Sequence, residues 1–272
     1  MDPVRTALSV LEAVGPLPDH AIDLAGTALA LAALDLPQAD LERYREHLAA
    51  LGRAVAAAGS ARRERADALR DVLVGQFGYT GDRETYDDLD NANLMRVIDR
   101  RRGLPVALSI LWLHAARAQG WTADGVNFPG HFLIWLDTGH GHVVLDPFDG
   151  GASRTADELR ELHRRLGRDQ GPSAEDFATV GNRAILLRLQ NNIKLRLLQA
   201  GRTEQALAVI ERMVLIAPAE AALWRECAAL HQEVGNLRTA IACLERAMAL
   251  AGGAVARQGV AAELQALRGK LN

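Results

Sequence analysis

Residues 105–119, PVALSILWLHAARAQ, constrain this chain more than any other stretch. Their spacing is helical, and they are apolar on most sides. Such a helix must be buried rather than laid on a surface. Pro105 suits the first turn, where its missing N–H leaves nothing unpaired, and Gly120 ends the run. The period then changes. Residues 126–128, 131–136 and 142–145 read as strands, and FLIWL, apolar at every position, requires cover on both faces. A buried helix beside a small antiparallel sheet, in a chain otherwise mostly helical, gives an α+β fold class.

The flanking sequence is helical. Residues 16–59 carry apolar positions near helical spacing, broken at Leu36-Pro37, and a helix over 40–58 presents Arg43, Glu46 and His47 on its polar face. Ser60 caps a third helix over 61–77, whose Arg and Glu at i,i+4 spacing read as a solvated face. Gly, Asp and Asn crowd residues 75–93, which predicts an ordered loop. Residues 93–102 predict a short helix ending at Gly103, and Thr155 with Glu158 signals a capping box. Residues 167–173 read as a linker. Beyond it, Gly201 and Gly235, Ala206 and Ala240, and Pro218 and Gly252 each stand 34 residues apart, the tetratricopeptide period. Trp224, Ala228, Ala240 and Ala247 take the aromatic and small positions of such a repeat, and 256–272 reads as a capping helix. Three regions result: a helical region over 1–74, a core over 75–170 and helical repeats over 175–272.

Composition narrows the function classes. With 272 residues, 49% hydrophobic, 24% charged and a net charge of −3, the chain is neither disordered nor basic enough to argue for nucleic acid. No membrane span and no signal peptide are expected. Cys227 and Cys243 make no disulfide framework and suit a reducing cytoplasm. Nine of the twelve aromatic residues lie between Phe77 and Phe148, so that third is where a pocket is sought.

Within it, a turn centred on Thr138-Gly139 sets His131 opposite Asp146, with Cβ atoms about 4.5–5.5 Å apart on one sheet face. A one-residue slip would separate them. In papain-like and transglutaminase-like folds a nucleophile sits at the N-terminus of a buried helix, a His on a neighbouring strand moves the proton, and an Asp orients the His. Gly103, Ser109, Leu111, Gly120, His131 and Asp146 fall in that order, and Pro105, fifteen residues before Gly120, stands where the Cys would be. The runs RRRGLPVALSILWLHAARAQGW, GVNFPGHFLIWL and VLDPFDGG, with the lead-in NANLMRVIDRRRG, resemble the transglutaminase-like domain of the bacterial SirB-type family. The downstream repeats match that family's architecture. The resemblance implies a transglutaminase-like fold with no established reaction and without the Cys of the active enzymes. Position 107 is Ala, where relatives often carry Ser or Thr.

Proline has no nucleophilic atom, so acyl transfer through a thiolate is not expected. Ser109, one turn further, lies inside the helix, without the free N–H groups that stabilise an oxyanion. It is expected to bond a backbone carbonyl. The alternative is an unusual hydrolase or acyl transferase using Ser109 with His131 and Asp146. For His131 and Asp146 two readings stand: a buried polar pair orienting a loop, or a ligand site bordered by Tyr86, Asn91, Asn93, Arg101 and Arg102. Gly130 before His131 either opens backbone access or only makes a turn.

Other signals are weaker. Asp137-Thr138-Gly139 is similar to an aspartic protease motif, but that chemistry needs two such Asp residues, and a hairpin turn explains one. His140 and His142 with Asp146 or Asp149 have metal-ligand types, but an exposed hairpin tip explains them, and no metal is expected. Arg100, Arg101 and Arg102 end a helix and suit its dipole, or meet an acidic partner. The glycines at 75–81 lack the residues of a phosphate loop. The expectation is therefore a pseudoenzyme acting as a protein-interaction or regulatory module. It uses no cofactor, binds neither nucleic acid nor membrane, and takes a protein or peptide on its repeats. A small ligand in the aromatic pocket is the further alternative.

Overall fold

Residues 2–59, 64–165 and 177–270 are described by a computed structural model, with twelve helices and seven short strands among them. Helix α1 (Pro3–Val14) comes first and was not read from the sequence, which here was weighed only as a leader. In α2 (Leu24–Asp35), nine residues are buried, and Asp23 caps the first turn by accepting from Gly26 N at 3.0 Å. α3 (Leu41–Gly59) buries only one stripe. The proposed cap Ser60 lies outside the described residues. The third helix is α4 (Arg65–Arg70), which continues as a wider π-helical turn over Asp71–Gln76.

The loop predicted at 75–93 is ordered around one buried carboxylate. Asp82 accepts from Glu84 N, from Thr85 N and Oγ1, and from Arg100. Burial pushes its pKa up, but these bonds win and hold it at about 2. The loop contains β1 (Thr80–Gly81) and a 3-10 turn at Leu89–Asn91, and leads to α5 (Leu94–Arg100) and β2 (Arg102–Gly103). β1 and β2 pair in parallel. The stop signal is Arg101, not Gly103: Arg101 takes φ 59°, the one left-handed residue other than glycine among those described. Gly103 is needed elsewhere, because a Cβ there would lie 2.8 Å from Val97.

α6 (Pro105–Arg117) is buried at eleven positions, as its composition requires. It packs on a five-stranded sheet of β3 (Ala123–Val126), β4 (Leu133–Asp137), β5 (His142–Asp146), β6 (Ala152–Ser153) and β7 (Thr179–Val180). The order is β6-β5-β4-β3-β7, all antiparallel. β3 starts earlier than expected, and β6 and β7 were too short to read. The other face of the sheet meets α7 (Ala156–Arg165): Leu159 and Leu162 pack with Val126, Leu133, Trp135 and Val144. FLIWL is thus covered on both sides. Thr155 and Glu158 form the predicted capping box. The linker expected at 167–173 lies outside the described residues.

The chain divides into two compact units. One holds Asp19–Leu189 with Asp2–Val4, and the other holds Arg5–Pro18 with the chain from Gln190 onward. In the second, α8 (Asn182–Gln199, from Gln190 on), α9 (Thr203–Ile216), α10 (Ala221–Glu233), α11 (Leu237–Leu250) and α12 (Ala254–Gly269) follow in succession. The 34-residue spacing has a visible cause. Gly201 and Gly235 end α8 and α10 with φ of 69° and 82°, and Ala206 and Ala240 are both fully buried. The end of α1 joins this unit, where a Cβ on Gly15 would lie 2.6 Å from the Leu215 carbonyl oxygen. Among the described residues, no helix is long and apolar enough to cross a membrane.

Candidate functional site

The hairpin of β4 and β5 pairs Ile134 with Leu145, two residues away from the expected register. In this register His131 does not stand opposite Asp146, so the expected strand pairing is not the one observed. His131 lies before β4, not in it. A turn places it there: its N–H donates to the Phe128 carbonyl at 3.0 Å, with Gly130 at φ 69°. Pro129-Gly130 is therefore a turn that aims the imidazole back at the sheet. His131 Nε2 lies 2.9 Å from Asp146 Oδ1.

Asp146 is 2% exposed and crowded with donors. Its Oδ1 also accepts from Phe148 N and Asp149 N, which caps the 3-10 turn at Pro147–Asp149. Its Oδ2 accepts from Arg154 Nε at 3.1 Å and Nη2 at 2.7 Å. Burial raises its pKa, but the His131 and Arg154 bonds outweigh that and hold the carboxyl below the usual range. The same carboxylates, Asp146 and Asp149, hold the Arg154 guanidinium above its ordinary value despite desolvation. Arg154 was missed by the sequence reading. The only signal was the Gly150-Gly151 turn after Asp146, which brings the next residues back alongside it.

Asp146 is therefore shared between His131 and Arg154. Phe148 closes one side, with its ring edge-on to His131 at 6.1 Å. Gly81 lets it sit there, since a Cβ would lie 2.5 Å from the Phe148 ring. These groups open on a cleft of about 700 Å³, lined by Arg83, Arg154, Phe148 and the acids Asp149, Asp157, Glu158 and Glu161.

The other candidate residues are not in that lining. Pro105 is the buried first residue of α6. Ser109 is fully buried, and among the described residues its Oγ has no hydrogen-bond partner, so the expected bond to a backbone carbonyl is absent: apolar packing on most sides of α6 encloses the hydroxyl. Tyr86 is 41% exposed and touches Phe148 edge-on. Asn91 is buried, donating to the Thr85 carbonyl. Asn93 caps α5 through Met95 N and Arg96 N and ties it to the Ala32 carbonyl. Arg102 pairs with Glu84, while Arg101 donates to Tyr79 OH at 2.6 Å and meets His47 Nε2 at 2.9 Å. The arginine triplet is consumed inside the molecule. His142 stacks on Trp135, and Asp137-Thr138-Gly139 is the hairpin turn.

A helix packed on an antiparallel sheet, with a hydrogen-bonded Asp at the end of β5 and His just before β4, is the arrangement of a transglutaminase-like core. The family model described as transglutaminase-like superfamily matches residues 42–191, and one described as tetratricopeptide repeat matches 193–267. The chain belongs to the transglutaminase-like superfamily. It is 32% identical over 173 residues to a UPF0162 protein of Xylella fastidiosa, and these cover 62% of this chain and 62% of that relative's length. A UPF0162 protein of Pseudomonas aeruginosa is 30% identical over 240 residues, 86% of this chain and 84% of the relative. Human F-box only protein 21 is 32% identical over 135 residues, 47% of this chain and 21% of that protein. These relatives agree with the SirB-type resemblance. No solved structure matches.

Proposed function

We propose that this chain is a non-catalytic transglutaminase-like protein, a regulatory module that engages a protein or peptide partner through its tetratricopeptide repeats. One observation carries the reading: among the described residues no thiol or hydroxyl is hydrogen-bonded to His131. At the start of α6, where the resemblance places the attacking Cys, stands Pro105. The reactive form of such chemistry needs a nucleophile in hydrogen-bond reach of its base. A hydrolase built on Ser109 needs that same bond, which the orphaned Ser109 Oγ does not make. The His131–Asp146–Arg154 cluster then works as a polar clamp that fixes the Pro147–Gly151 corner and one wall of the cleft. Two unbridged thiols suit a cytoplasmic setting.

The test is turnover. The full chain is incubated with glutamine-containing peptide plus amine, and with activated esters, beside His131→Ala. Equal background rates in both are expected. Loss of a real rate in the variant would remove this reading.

A further inference from the structure

The repeat unit holds a cluster that the cleft does not use. Cys227 and His231 lie four residues apart on α10 and so share a helix face. Cys243 reaches them from α11, and all three are buried. The two sulfurs are 3.7 Å apart, and one ring nitrogen of His231 lies within 4.8 Å of both. A disulfide needs about 2.05 Å. Two thiolates on one tetrahedral ion at about 2.3 Å each stand about 3.8 Å apart, the spacing present here.

The imidazole supplies an independent indication. His231 is 5% exposed, yet its Nδ1 has no hydrogen-bond partner among the described residues. A buried nitrogen left unpaired carries a desolvation cost unless something binds it. Its other nitrogen, Nε2, faces Glu211 Oε1 at 3.3 Å. A carboxylate on one ring nitrogen is the usual device for fixing the tautomer of a metal-bound His.

We propose that Cys227, His231 and Cys243 bind one thiophilic d10 cation, Zn²⁺ or Cu⁺, within the repeats. Binding expels the two thiol protons to solvent; the two thiolates neutralise Zn²⁺ and leave one net negative charge with Cu⁺, and no electron is transferred. Soft sulfur ligands with one imidazole select this class over Mg²⁺ or Ca²⁺. The ion ties α10 to α11 and so stiffens the hairpin of the second repeat.

The full chain, kept reduced by a phosphine and stripped by chelator, is titrated with Co²⁺. One equivalent is expected to give a sulfur-to-metal charge-transfer band that one equivalent of Zn²⁺ bleaches. A parallel anaerobic arm with Cu⁺ against a chromophoric chelator separates the two ions: the tighter one is that which raises the melting temperature at one equivalent. His231→Gln should weaken binding at least tenfold. Cys227→Ser/Cys243→Ser should abolish the band and the melting shift. Failure of the wild-type chain to give any band or shift with Co²⁺, Zn²⁺ or Cu⁺ overturns the site, and needs no variant to fold. A signal that survives in the double Ser variant also overturns it.

Discussion

At the scale of single residues, burial and pairing decide what each polar group can do. Ser109 Oγ is enclosed and unpaired. A structural orphan of this kind destabilises, whereas a nucleophile is retained for reactivity. Ser109→Ala should leave the fold intact and raise the free energy of unfolding by about 1 kcal/mol, read by urea denaturation. A loss of that size would mean the hydroxyl has a partner. His47 gives a pH prediction. Burial, then the charges of Arg101 and Arg43, lower its pKa to about 4 from an ordinary 6.5. The folded state therefore prefers neutral imidazole. Its contribution is complete above pH 6.5 and is lost as the pH falls towards 4, since the unfolded chain takes up the proton first. Thermal melts at pH 7.5 and pH 4.5 should show a smaller drop for His47→Gln than for the wild type. Equal drops would contradict the neutral His47.

At the scale of elements, the long patterned segments were legible and the short or specially shaped ones were not. α6 and β4 declared themselves through continuous apolar character, and the repeats through Gly201 and Gly235, whose left-handed φ is the reason glycine recurs there. β6 and β7, two residues each, carry no period to detect. Arg101 hid the end of α5 because the sequence signal for a stop is Gly. Its left-handed strain of about 1–2 kcal/mol is offset by bonds to Tyr79 and His47 and by its stacking over the Phe77 and Tyr79 rings. Half the site was legible: His131 and Asp146 were picked out as a pair, though a turn before β4 and not strand register brings them together, while Arg154 depends on how the corner after β5 folds. That corner offers a paired test. Gly150 and Gly151 both have positive φ, but a Cβ on Gly150 meets open space and one on Gly151 would lie 2.0 Å from Trp112. Gly150→Ala should cost about 1–2 kcal/mol. Gly151→Ala should cost that plus about 1–3 kcal/mol of overpacking. Equal losses in chemical denaturation would show that Trp112 does not support the corner.

At the scale of the whole chain, two units carry different chemistry. The transglutaminase-like unit keeps a helix, a sheet and a His–Asp pair in the order that acyl transfer uses, yet the helix begins with a proline and the Asp is shared with an arginine. The repeat unit was legible as repeats but not as a cluster of sulfur and imidazole, because Cys227 and Cys243 meet only through the packing of α10 on α11. On the proposed reading, this scaffold serves binding rather than turnover. The most direct measurement is covalent trapping. The intact chain is incubated with acylating and fluorophosphonate electrophiles, digested, and mapped by mass spectrometry. The account predicts no adduct on residues 105–117. A stoichiometric adduct on a side chain of that segment, lost in His131→Ala, would contradict it.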